Sequence, residues 1–108
     1  MAVIDQQQIR RFVTAVAATF EPDRIILFGS YAVGNATDDS DVDLLVVMNH
    51  RGAGAQQAAR IRQAIRAGFP MDLIVRSPRV VRQRLGMGDS FLKEIFERGQ
   101  VLYEAARA

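Results

Sequence analysis

The sequence contains no cysteine and a single histidine among its 108 residues. The first absence excludes a disulfide framework, a thiolate zinc site and a cysteine nucleophile. The second excludes a histidine-rich metal centre. No apolar run approaches the roughly 18 residues that a membrane span needs; Leu44–Met48 is among the longest. Residues 1–11 lack a basic stretch followed by an apolar one, so no leader is expected and the default location is the cytoplasm. Lysine occurs once against 13 arginines.

What is present is ordinary globular material, 49% apolar and 24% charged. That composition excludes a disordered chain, a collagen-like chain and a solenoid array. A chain this short buries about two-thirds of its unfolded surface, which allows one domain, spanning 1–108. The net charge is +2 and argues neither for nor against nucleic acid. Its distribution is uneven. Residues 1–54 carry 4 basic and 7 acidic groups, and residues 55–108 carry 10 and 5.

Local patterns divide the chain into elements. Asp5 is a good N-cap, with Gln8 placed for a capping box and Ile4 and Ile9 for a hydrophobic staple. Ile9, Phe12, Val13, Val16, Ala17 and Phe20 then recur at helical spacing, and Pro22 ends the helix at Glu21. Arg24–Phe28 reads as a buried strand. Gly29-Ser30 breaks it, with a short helical turn at Ser30–Val33 and turn-rich residues up to Ser40. A second strand is expected over Asp41–Met48, a helix over Ala55–Ala67 capped by Gly68, and a third strand over Met71–Val75. Ser77-Pro78 opens a further helix, Asp89 or Ser90 the last one, and Val101–Glu104 forms a final strand. The tail, 105–108, is expected to carry no element. The order predicts an α/β (α+β) fold, a small mixed sheet covered by helices.

Three acids stand out by position. Asp41 and Asp43 are two residues apart at the start of an otherwise apolar strand, so both carboxylates point to one face. Asp72 is the second residue of the third strand and lies beside them if the two strands are neighbours. Three such carboxylates repel one another unless a cation sits among them. Oxygen donors suit Mg²⁺ first, with Mn²⁺ as a substitute. Gly29-Ser30, directly after a buried strand, can meet a phosphate through backbone amides, with glycine allowing close approach. Ten residues separate Ser30 from Asp41.

The stretch Gly29–Ala36, followed by Ser40–Val46 with Asp41-x-Asp43, resembles the signature of the DNA polymerase beta-like nucleotidyltransferases. The short length resembles the minimal nucleotidyltransferases, which include the antitoxin halves of HEPN–nucleotidyltransferase toxin–antitoxin pairs. The resemblance covers residues 24–76 and implies a polymerase-beta-like nucleotidyltransferase fold. It also implies roles. Gly29 and Ser30 would hold the β- and γ-phosphates of a nucleoside triphosphate, with ATP the donor. Asp41 and Asp43 would hold two Mg²⁺ ions. Asp72 would share the metal nearest the nucleophile and help remove the hydroxyl proton. In the toxin–antitoxin relatives AMP passes to a hydroxyl, typically of tyrosine, on a HEPN ribonuclease. A HEPN-family toxin is therefore the expected partner, and nucleic acid is not expected as the direct substrate. One position departs from the pattern: where the family often has arginine, this chain has Val33. That departure keeps open an antitoxin acting by contact alone. A small-molecule nucleotidyltransferase is the other alternative, though its relatives usually carry a further helical domain.

Other residues receive plainer readings. His50 is expected as a solvated loop histidine. Arg76, Arg79, Arg82 and Arg84 read as a solvated helix face. Tyr31 and Tyr103 read as packed or partly exposed aromatics.

Overall fold

The computed structural model describes residues 3–106. Five helices and four strands follow one another as α1 (Gln6–Phe20), β1 (Arg24–Phe28), α2 (Ser30–Val33), β2 (Val42–Val47), α3 (Gly54–Ala64), β3 (Met71–Arg76), α4 (Pro78–Gly86), α5 (Ser90–Arg98) and β4 (Gln100–Glu104).

The capping chemistry acts as the sequence predicts. The Asp5 carboxylate accepts from the Gln7 amide at 2.6 Å, and Gln8 Oε1 accepts from the Asp5 amide at 3.1 Å. Glu21 closes α1 in the left-handed region, φ 49°, because Pro22 disfavours helical geometry at the residue before it. Ser77 caps α4 through the Val80 amide, with Pro78 in its first turn, and Asp89 caps α5 through the Leu92 amide.

The strands form one mixed sheet in the order β3-β2-β1-β4. β1 is antiparallel to both β2 and β4, and β2 is parallel to β3 across the α3 connection. Side-chain alternation divides the apolar residues between two sides. Ile25, Leu27, Leu44, Val46, Leu73 and Val75 pack with Ile9, Phe12, Val13 and Val16 of α1 and Ile61 of α3. Ile26, Leu45 and Val47 pack with Val81 of α4 and Leu92 and Ile95 of α5. β2 is thus covered on both faces, which explains its unbroken apolar run. Each such fully buried side chain contributes about 1.5–3 kcal/mol.

Several boundaries differ from expectation, and two of the differences bear on the site and the core. β2 begins at Val42, leaving Asp41 one residue outside it. α3 ends at Ala64 and not at Ala67, with Ile65 already extended. The cause is tertiary: Ile65, Ala67 and Phe69 turn inward onto the core, and Phe69 meets Phe12 edge to face at 6.1 Å. Gly68, φ 77°, serves that turn and does not cap the helix. In the tail, Ala105 donates to the Asp23 carbonyl at 2.9 Å, so it is held beside the end of the sheet. Residues 107–108 lie outside the described residues.

Candidate active site

Antiparallel pairing brings the end of β1 and the start of β2 together, and Phe28 pairs with Asp43. Parallel pairing sets Asp43 level with Asp72 on the adjacent strand, where neighbouring strands run about 4.8 Å apart. The second residue of β3 and the second residue of β2 therefore point the same way. By alternation that way is the α4/α5 side, shared with Leu45, Val47 and Ile74. All three acids lie at one end of the sheet. Asp41 and Asp72 are exposed, and Asp43 is half-buried between them.

This placement has an electrostatic cost. The Asp43 carboxyl is raised above its ordinary value of 3.8, first by burial and then by the charges of Asp72 and Asp41. Gly29 stands against the same group. A β-carbon added there would overlap Asp43 Oδ2, and the residue has φ 75°, a conformation that favours glycine. The first turn of α2 receives no side-chain cap. Two bonds anchor α2 itself. Tyr31 Oη accepts from the Ile4 amide at 3.1 Å, and Gln100 Nε2 donates to the Ala32 carbonyl at 2.7 Å.

The donor set offers only carboxylate oxygens, which fits a hard divalent cation in ligand chemistry. Among the described residues no three acidic or histidine side chains are already gathered in metal-holding geometry. Asp43 and Asp72 share an end and a face of the sheet, with Asp41 just before β2 at the same end, and their convergence on an ion requires rotation of side chains, which strand backbones do not oppose.

Other predicted positions are placed as follows. His50 is half-buried, and its Nδ1 is closed to solvent with no hydrogen-bond partner, which corrects the solvated reading. Arg79, Arg82 and Arg84 are exposed on α4, as expected of a solvated helix face, and Arg84 pairs with Asp89 at 3.7 Å; Arg76, expected with them, instead ends β3. Tyr31 and Tyr103 are half-buried against the core. One neighbour of the site escaped sequence reasoning. A cavity of about 470 Å³ opens beside Gly29 and Ser30, walled on its far side by α5. Among the described residues no helix is long and apolar enough to cross a membrane.

Known proteins are similar to this chain. A protein of Methanocaldococcus jannaschii named “Putative protein adenylyltransferase MJ0604” is 30% identical over 101 residues, covering 92% of this chain and 98% of that protein. A second from the same organism, “Putative protein adenylyltransferase MJ0141”, is 33% identical over 73 residues, 68% of this chain and 71% of its own. A crystal structure from Sulfolobus solfataricus, described as that of a “putative nucleotidyltransferase”, shares the fold with a TM-score of 0.62 at 22% identity. It covers 91% of this chain and 78% of that one. The family described as nucleotidyltransferase domain matches residues 9–102, nearly the whole length, and this chain belongs to it.

Proposed function

We propose that the chain transfers AMP from ATP to a hydroxyl of a partner protein, with Asp41, Asp43 and Asp72 as its catalytic carboxylates. The observation that carries this reading is the meeting of Gly29 with Asp43, and of Asp43 with Asp72 in register. A glycine backbone without side-chain bulk stands beside Asp43, and Asp72 is level with it, an arrangement that suits a phosphate and its counter-ion. The protein adenylyltransferase names of the two Methanocaldococcus relatives point to a protein acceptor.

Each residue has a task. Gly29 lets the triphosphate approach the backbone of the turn, and Ser30 adds a hydroxyl there. Asp41 and Asp43 would hold a divalent metal, Mg²⁺ or Mn²⁺, and Asp72 would complete the set. The bound metal supplies charge neutralisation at the pyrophosphate and a lowered pKa at the attacking hydroxyl. The acceptor oxygen forms a bond to the α-phosphorus, the bond from that phosphorus to the β-phosphate bridge breaks, and pyrophosphate leaves. The acceptor proton passes to the Asp72 carboxylate and from there to water, since Asp72 is exposed.

Asp41 and Asp72 are open to solvent at the end of the sheet, where a docked partner protein has direct access to them. A HEPN-family ribonuclease toxin with a tyrosine acceptor fits that role, making the chain the antitoxin of such a pair in the cytoplasm. The alternative, neutralisation by contact alone, is kept by Val33, which leaves α2 without the arginine common in similar proteins.

The test is incubation with ATP labelled at the α-phosphate and Mg²⁺, with the protein encoded beside this one. Label on that neighbour, lost in the Asp41→Asn, Asp43→Asn variant, is the expected result. A stable complex without label sinks the catalytic reading in favour of contact.

A further inference from the structure

Gly29 stands against Asp43, and it also lines the 470 Å³ cavity together with Ser30 and Val33. Glu94 and Arg98 of α5 line the same cavity, and so do Phe28 and Phe91, whose rings meet edge to face at 5.8 Å. None of the three acids lines it. The turn is therefore the border between the acids and the cavity.

We propose that Arg98 is the cation that meets the terminal phosphates of a nucleoside triphosphate seated at Gly29 and Ser30; the proposal rests on the nucleotidyl-transfer reading above. Transfer at the acids places the α-phosphate over Asp43. The remaining phosphates then run across Gly29 and Ser30 and emerge in the cavity. They are strongly anionic, and α2 offers them no cation. Val33 stands instead at the cavity wall, 42% exposed.

Among the described residues, Arg98 is the one cationic side chain lining the cavity. It is exposed, and among the described residues it makes no hydrogen bond or ion pair, not even with Glu94 one turn earlier on the same helix. Its planar guanidinium suits two-point contact with phosphate. Its backbone is also fixed with respect to the turn. Gly99 donates to the Ile95 carbonyl at 2.8 Å and lies so close to Ile26 and the Leu27 carbonyl that no β-carbon fits there. The end of α5 is thus seated on β1, the strand that leads into Gly29. Glu94 has the opposite sign and repels the same phosphates.

The experiment compares binding of ATP, AMP and tripolyphosphate, each with Mg²⁺, by calorimetry on the full chain. Arg98→Ala is expected to weaken ATP and tripolyphosphate about 10- to 100-fold, the range of a lost charged hydrogen bond, while AMP changes less than about twofold. Arg98→Lys retains part of the affinity, Glu94→Gln tightens ATP, and Val33→Arg added to Arg98→Ala restores part of the loss. A wild-type chain that binds ATP and an Arg98→Ala variant that binds it equally overturn the role of Arg98 and leave the transferase reading standing. Equal losses for ATP and AMP overturn it too, since the cavity then houses the nucleoside. If Arg98→Ala lowers Tm but not ATP affinity, Arg98 only complements the helix end. A wild-type chain that binds no nucleoside triphosphate overturns both readings.

Discussion

Gly29 and Asp43 meet so closely that a β-carbon on the first would occupy the place of an oxygen on the second. The left-handed φ of Gly29 adds a second reason why no other residue suits the position. Gly29→Ala is expected to fold, because the turn is exposed, and to lose on the order of 10²-fold in transfer rate, the effect of a displacement near 1 Å at reacting groups. Single-turnover kinetics beside circular dichroism checks both halves.

The crowding of Asp43 carries a pH signature. Burial, Asp72 and Asp41 all raise its carboxyl above the ordinary value of 3.8, so the folded chain holds this proton more tightly than the unfolded one. The group's contribution to stability is fully present below that ordinary value and is lost as pH rises through the raised one. At neutral pH its charge is a net cost. Asp43→Asn is expected to raise Tm at pH 7 while abolishing transfer, with the gain fading in acid below the ordinary carboxylate range. Mg²⁺ raises the Tm of the natural chain more than that of the variant. Melting curves across pH, with and without Mg²⁺, decide the matter; a variant less stable at pH 7 contradicts it.

Asp72 is exposed, and its backbone partner across the sheet is Asp43. Asp72→Asn is expected to lower the rate about 10²- to 10⁴-fold, the range of a lost general base, while ATP affinity stays within a fewfold. Equal losses in rate and affinity would assign Asp72 to holding the nucleotide instead.

Leu44 is fully buried one residue beyond Asp43. Leu44→Ala is expected to cost about 2–5 kcal/mol, measured as a lower midpoint in urea at unchanged slope.

Much of this was legible from local chemistry. The capping box of α1, the limits of β1 and the one-turn helix at Ser30–Val33 follow from neighbours in the chain, and all three form where the residues predict. The common face of Asp43 and Asp72 needs the alternation of two strands and their parallel register, which the sequence offers only as a condition. Other features depend on contacts between distant residues. The early end of α3 depends on Phe69 finding Phe12, which no spacing announces. The enclosure of His50 Nδ1 depends on how the chain closes after β2. Arg98 reads as one more charge on an amphipathic helix until α5 folds back along β1 and sets it across a cavity from Ser30.

The two-sided packing of β2 ties activity to correct assembly. Val42 and Leu44 face one helical layer, and Asp43 faces the other. A slip of one residue between β2 and its neighbours would drive a carboxylate into the apolar layer and expel two aliphatic side chains from it. A mispaired chain is therefore inert as well as unstable, and the same pairing that hides the oil of this protein aims its acids. For this protein an activity assay doubles as a test of strand register.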